Sequence, residues 1–170
     1  MRETSEELDC LQALLDASAA TAGAHLRSIL TQERRLAAAQ LSAVLKGMCL
    51  LTVATVTADG RPIASPVDGY FLHGSFWFST SRHSVRVRHL AQRPAVSVTY
   101  VPNERLAVSA HGEAALFDFP SPETSELRQA MLDHYLPLRG QPFRQWLDGM
   151  EDGIAVQIRA TRLFVFALLE

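Results

Sequence analysis

The chain has 170 residues, 48% of them hydrophobic, and a formal net charge of −2 at pH 7. This length and composition allow one sizeable core and predict a single structural domain. The weak negative charge excludes the basic field with which proteins bind nucleic acid nonspecifically. The acidic N-terminus does not resemble a signal peptide, and no apolar run approaches the roughly 18 residues of a membrane span, so we expect a cytoplasmic protein without membrane contact.

The first part of the chain predicts two helices. Thr4 and Glu7 have the spacing of a capping box, and the apolar residues that follow predict an amphipathic helix from about residue 5. Thr31 can cap a second helix, which we expect to run to Gly47. These helices precede the main fold.

From Leu50 onward the pattern changes to short strands. Residues 51–56 alternate in polarity, and Ala58-Asp59-Gly60 supplies the turn of a hairpin. The further predicted strands are 62–71, 75–80, 95–101, 105–117, 154–159 and 163–168. Helices are predicted over residues 84–92, from Ser121 and after Pro142. We therefore predict a mainly β fold, a barrel of six or seven strands with helices, in which residues 1–48 form an N-terminal helical segment and residues 49–170 the barrel domain.

The segment from Phe78 to Leu90 is the strongest candidate for a binding site. A strand that carries Ser79 and Thr80 leads into the start of a helix at Ser84, where free backbone N–H groups and the helix dipole favour an anion. Three arginines lie within reach, namely Arg82, Arg86 and Arg88. Arg82 and Arg86 are one helical turn apart and can share a phosphate, whereas Arg88 faces a second group or a partner chain. Spacing alone leaves open whether this is a phosphate site or an ordinary solvated, arginine-rich helix.

Several motifs together resemble the pyridoxamine 5'-phosphate oxidase-like flavoproteins. They are the hairpin 51–62, Ser65-Pro66-Val67, Phe78-Ser79-Thr80, the helix 84–90 and Arg93-Pro94-Ala95-Val96-Ser97. Their order and spacing match the family from about Leu45 to Leu168. The resemblance implies an FMN-binding split β-barrel that holds a flavin-type cofactor between the two subunits of a homodimer.

The resemblance also implies which residues contact the cofactor. The main chain of Ser65, Pro66 and Val67 would line the flavin ring, and the hydroxyls of Ser79 and Thr80 would bind the phosphate. Arg86 occupies the position of the family's phosphate-binding lysine, with Ser84 and Arg82 assisting and Arg88 in a lesser role. We predict no catalytic side chain, because the organic chemistry of such proteins belongs to the cofactor.

The implied function is a flavin-dependent oxidoreductase that acts on an unidentified small molecule. The oxidase's Arg-x-His substrate element near the C-terminus is missing, so pyridoxamine-phosphate oxidase activity itself is not expected. Two alternatives stay open, namely dependence on the 5-deazaflavin coenzyme F-420 and a carrier or sensor that binds flavin or haem without turnover. The last histidine is His134, which weakens the haem alternative, and the scattered histidines predict no metal site.

Four aromatic residues and one carboxylate complete the sequence predictions. Phe76, Trp77 and Phe78 predict an apolar face of an open barrel that needs a second subunit to cover it. Trp146, like Trp77, is expected in the core or an interface. Asp68 is interpreted as a strand-end carboxylate without a catalytic role.

Overall fold

The computed structural model describes residues 3–168. The first helix, α1 (Ser5–Thr21), starts at the predicted capping box. The Glu7 N–H donates to the Thr4 hydroxyl at 3.2 Å, and the Thr4 N–H donates to the Glu7 carboxylate at 2.8 Å. Further along α1, the Ser18 hydroxyl accepts a hydrogen bond of 2.8 Å from the backbone N–H of Leu163. The N-terminal helix is therefore attached to the last strand of the barrel.

The single helix predicted from Thr31 to Gly47 is wrong. The chain instead forms α2, a short 3-10 helix and α3, which span Ala24–Ile29, Gln32–Arg34 and Ala38–Val44. Thr31 precedes the 3-10 helix, but its side chain makes no capping hydrogen bond. Arg35 has extended backbone angles, φ −108° and ψ 154°, and the next residue, Leu36, is buried in the core. Burying Leu36 favours this break over a continuous helix.

Six antiparallel strands form a closed barrel, as the sequence predicts. They are β1 (Met48–Val56), β2 (Pro62–Leu72), β3 (Ser75–Ser81), β4 (Ala95–Asn103), β5 (Leu106–Phe119) and β6 (Gly153–Ala167). Around the barrel they follow the order β1-β2-β3-β6-β5-β4, and β4 pairs with β1 to close it. Helix α4 (Val85–Gln92) connects β3 to β4. Helices α5 (Ser125–Arg139) and α6 (Gln141–Asp148) lie between β5 and β6.

The two C-terminal strands predicted from the sequence are one strand, β6. Its register with β5 shifts between His111 and Gly112, which pair with Arg162 and Ala160, so Thr161 is the extra residue of a β-bulge. A Cβ atom on Gly112 would lie 2.0 Å from the Arg159 carbonyl oxygen, so only glycine fits this close approach. The polar residues near 160 mark a bulge and not a turn.

The expected aromatic face of an open barrel is also wrong. Phe76 and Phe78 point into the barrel and are 2% and 0% exposed, because alternate residues of a strand face the same side. Trp77 points the other way and packs on Phe117, with ring centroids 5.5 Å apart. Trp146, on α6, is 56% exposed and does not belong to the core.

The helices α5 and α6 cover a second, smaller core on the outside of the barrel. Tyr70 from β2 and Phe119 from β5 are buried there with Leu127 and Leu147 from the two helices. The helix predicted from Ser121 starts with a short 3-10 helix, Pro122–Thr124, before α5 begins. No helix among the described residues is long and apolar enough to cross a lipid bilayer.

Candidate functional site

Arg86 lies at the start of α4, where the helix approaches β2 and β3. The Ser84 hydroxyl caps this helix by accepting a hydrogen bond of 3.2 Å from the Val87 N–H. The Arg86 guanidinium then donates to two hydroxyls, from Nη1 to Thr80 Oγ1 at 3.2 Å and from Nη2 to Ser65 Oγ at 2.7 Å. Three residues predicted for the site, Ser65, Thr80 and Arg86, therefore meet at one point.

The charge of Arg86 has no counter-ion among residues 3–168, since none of the ion pairs found there includes it. Its Nε atom is buried and has no hydrogen-bond partner. Burial lowers the pKa of the Arg86 guanidinium, whose central carbon lies 5.7 Å from the centroid of the Phe78 ring. A half-buried cation with hydroxyl neighbours and an unused N–H donor is suited to bind an anion.

The structure places Arg82 and Arg88 away from this point. The Arg82 guanidinium donates to the Asp118 carboxylate at 2.6 Å on the exposed side of the barrel. Arg88 is exposed on α4. The Ser84 hydroxyl is already used as the helix cap.

A cavity of about 620 Å³ extends from Arg86 along β2 toward α5 and α6. On the barrel side its lining includes Pro66, Val67 and Ser79, which the sequence predicted, together with Asp68 and Tyr70, which it did not. The opposite side is formed by Met131, Tyr135, Arg139, Pro142, Phe143 and Trp146.

The helical side of the cavity is an aromatic wall, which we define as Tyr135, Phe143 and Trp146. The ring centroids of Tyr135 and Phe143 are 4.8 Å apart, and those of Phe143 and Trp146 are 5.4 Å apart. The Arg139 guanidinium lies 5.0 Å from the Tyr135 centroid. Sequence reasoning missed this wall, although Tyr135 and Arg139 have the i, i+4 spacing that places two side chains on one helical face.

Two phenols and a carboxylate lie where β2 meets α5. Asp68 belongs to the middle of β2 and not to a strand end, and its carboxylate accepts a hydrogen bond from the Tyr135 hydroxyl. Burial, and then Asp68, raise the pKa of Tyr135 to about 12. Tyr70 is 2% exposed, and its hydroxyl has no hydrogen-bond partner in the described part of the chain. Burial raises the pKa of this phenol as well. Both phenols stay protonated at neutral pH.

A second cavity of about 450 Å³ adjoins the first, because Ser79 and Trp146 line both. Its other lining residues include Thr80, and its charged ones are Glu151 and Asp152. The space beside Thr80, a hydrogen-bond partner of Arg86, is therefore acidic.

Comparison with known proteins identifies the family. Residues 37–150 match the family model described as pyridoxamine 5'-phosphate oxidase. The chain belongs to this family. The match confirms the resemblance seen in the sequence and covers the residues around Arg86. The search of curated proteins found no match to this chain.

Solved structures with the same fold share few residues with this chain. A conserved hypothetical protein from Mycobacterium tuberculosis has a TM-score of 0.65 at 20% identity, with 81% of this chain and 88% of that chain covered. The haem storage protein HutZ from Vibrio cholerae has a TM-score of 0.60 at 20% identity, with 75% and 91% covered. A structure named F-420 reductase has a TM-score of 0.54 at 18% identity, with 72% and 94% covered. These similarities show a common fold.

Proposed function

We propose that this protein is a flavoprotein that binds FMN and that Arg86 holds the phosphate of the cofactor. The observation that carries the proposal is the half-buried Arg86 guanidinium, which has hydroxyl partners, no carboxylate partner among the described residues and an unused Nε donor. A buried charge without a counter-ion is costly, and a phosphate would compensate it through charge-assisted hydrogen bonds.

The rest of the cavity suits the flavin ring. With the phosphate at Arg86, the ring would lie along Pro66 and Val67 of β2, facing the aromatic wall of α5 and α6. A bound flavin supplies hydride or electron transfer, whereas the protein binds it, orients it and limits its contact with water. The apolar lining of the cavity supports this role.

We propose that the protein is an oxidoreductase whose small-molecule substrate enters the same cavity. Arg139 is a charged group of the cavity that the proposed phosphate contact leaves unused, and it would contact such a molecule. The test is to reduce the bound cofactor without oxygen and then add candidate acceptors. A protein that only carries the cofactor would show no reoxidation that depends on the acceptor.

The acidic second cavity favours FMN over the 5-deazaflavin coenzyme F-420. Coenzyme F-420 continues beyond its phosphate into an acidic tail, and the space next to the Arg86 end contains Glu151 and Asp152. Arg82 does not offset these charges, because it is paired with Asp118. Like charges repel such a tail.

The decisive experiment titrates FMN and riboflavin into the cofactor-free protein. Because riboflavin lacks the phosphate, we expect FMN to bind at least about tenfold more tightly. Equal affinities would contradict the phosphate site. Selective binding of the deazaflavin over FMN would instead support the alternative cofactor.

We also propose that the protein is a homodimer. Leu50 on β1 and Val101 on β4 are each 59% exposed, and the pairing of Thr52 with Thr99 places them opposite each other on neighbouring strands. Exposed apolar side chains that lie together favour association. Light scattering should give the mass of a dimer at micromolar concentration, and a stable monomer that retains cofactor would overturn this proposal.

A further inference from the structure

We infer that Thr55 and His89 are positioning residues for the phosphate anchor Arg86, an inference that rests on the proposed function. Helix α4 has only eight residues, and an isolated helix of this length is unstable in water. Of its described residues, only Val87 and Leu90 are buried. The helix therefore depends on other contacts for its orientation on the barrel.

Two side-chain hydrogen bonds attach the C-terminal half of α4 to β1. The Nδ1 atom of His89 lies 2.9 Å from Oγ1 of Thr55, and Nε of Arg93 donates to the Val56 carbonyl at 3.1 Å. Thr55 is only 3% exposed, so its hydroxyl has lost its contact with bulk water. Buried hydroxyls require a partner in the protein, and for Thr55 that partner is His89.

Arg86 lies one helical turn before His89. Its hydrogen bonds to Thr80 and Ser65 have ordinary lengths, 3.2 and 2.7 Å. A displacement of the guanidinium by about 1 Å would break them. A rotation or translation of α4 would therefore move the guanidinium away from both hydroxyls. The Thr55–His89 bond holds α4 where Arg86 reaches the phosphate, although neither residue lines the main cavity.

Thr55→Val tests the inference, because valine keeps the shape of the side chain and removes the hydroxyl. We expect the affinity for FMN to fall about threefold to tenfold and the affinity for riboflavin to stay unchanged. Thr161→Val is the matched control, since it also removes a threonine hydroxyl, one that donates to the His111 carbonyl at 3.2 Å on an exposed part of the barrel. This control should leave both affinities unchanged.

The double variant Thr55→Val/Arg86→Ala shows whether Thr55 acts through Arg86. If it does, the double variant binds FMN as weakly as Arg86→Ala alone, because the positioned group is already gone. Fully additive losses would contradict the inference. A general loss of packing would lower the affinities for FMN and riboflavin together.

Two substitutions of His89 provide a second test on a half-exposed residue. His89→Asn keeps a polar group near the position of Nδ1 and should retain most of the preference for FMN over riboflavin, whereas His89→Leu should lose part of it. Suppose that wild type prefers FMN to riboflavin and that Thr55→Val and His89→Leu both fold and keep the full preference. The inference is then overturned, whereas the proposed function stands. If Thr55→Val does not fold, equal preferences of wild type, His89→Leu and His89→Asn overturn it. If wild type binds FMN and riboflavin equally, the proposed function itself fails.

Discussion

The surroundings of Arg82 and Arg86 differ sharply, although the two residues are four positions apart. Arg82 lies on the exposed side of the barrel and is paired with Asp118 at 2.6 Å. Arg86 is half-buried, and its polar partners within residues 3–168 are the hydroxyls of Ser65 and Thr80. Water and a carboxylate neutralise the first charge, whereas the second keeps its field in a less polar environment. The position of the carboxylate therefore decides which arginine is available to a ligand.

The largest expected effect separates these two arginines directly. Arg86→Ala should weaken FMN binding about tenfold to a hundredfold, because a charge-assisted hydrogen bond contributes roughly 1.5 to 3 kcal/mol. Arg82→Ala is the control and should change the affinity less than about threefold. Titration of FMN into both variants measures the difference. Equal losses of FMN affinity in the two variants would contradict the distinction between the two arginines. Arg86→Lys should keep part of the affinity for FMN, because it retains a point charge.

A smaller effect is expected at the acidic cavity. Glu151→Gln/Asp152→Asn should increase the affinity for coenzyme F-420 about threefold to tenfold, since each exposed charge contributes less than roughly 1 kcal/mol. The affinity for FMN should stay the same, because FMN ends at its phosphate. Parallel titrations of both cofactors check this, with Glu104→Gln, in the turn at the opposite end of β5, as the control. An unchanged affinity for coenzyme F-420 would show that the carboxylates do not select the cofactor.

Inorganic phosphate offers a test that needs no flavin. Phosphate that binds only the folded state stabilises it by about 1.4 kcal/mol at ten times its Kd, which raises the melting temperature of a chain of this size by about 2 to 5 °C. We expect this rise in wild type and in Arg82→Ala and its absence in Arg86→Ala. Differential scanning calorimetry with phosphate at constant ionic strength measures it. A rise that persists in Arg86→Ala would place the anion elsewhere.

The smallest expected effect concerns Glu7. Its carboxylate, unlike the Arg86 guanidinium, has partners of complementary charge or polarity within the protein. The backbone N–H of Thr4 and then His73 lower the pKa of Glu7 below 4.5. A carboxyl group whose pKa is lowered by folding stabilises the protein above its unfolded pKa, and this contribution disappears as the pH falls through the folded pKa. Glu7→Gln should therefore reduce the free energy of unfolding at pH 7 by about 0.5 kcal/mol. The difference should vanish once the pH falls below the folded pKa of Glu7, and denaturation at pH 7 and across the acidic range, with Glu6→Gln as control, would show whether it does.

The strands could be predicted from the sequence because local alternation determines which residues face the core. Leu51, Val53 and Thr55 are buried as their alternation indicates. The segment around Thr161 was misread because a bulge and a turn contain similar residues, and only the pairing with β5 distinguishes them. The helix expected from Thr31 failed because the burial of Leu36 depends on tertiary contacts.

The candidate site could be predicted only where its residues are close in sequence. Ser79, Thr80 and Arg86 lie in one segment, and the structure brings the last two together. The pairing of Arg82 with Asp118 spans 36 positions, and the bond between Tyr135 and Asp68 spans 67, so no local pattern reveals either. The family match supports the assignment of the segment, while the roles of single residues stay predictions.

The aromatic wall lies in segment 120–152, which leaves the barrel after β5 and rejoins it at the start of β6. Phe119 and Gly153 face each other in the pairing of β5 with β6, so the chain that leaves the sheet after residue 119 returns beside the place where it left. At this junction a Cβ atom on Gly153 would lie 2.8 Å from Met150 Sδ and 3.1 Å from Phe119 Cβ, so a larger residue here would require the Met150 side chain to move. Segment 120–152 therefore leaves and rejoins the sheet at one point of the β5–β6 pairing. A different segment can follow the same path without changing the order of the six strands, provided that it also covers Tyr70 and Phe119.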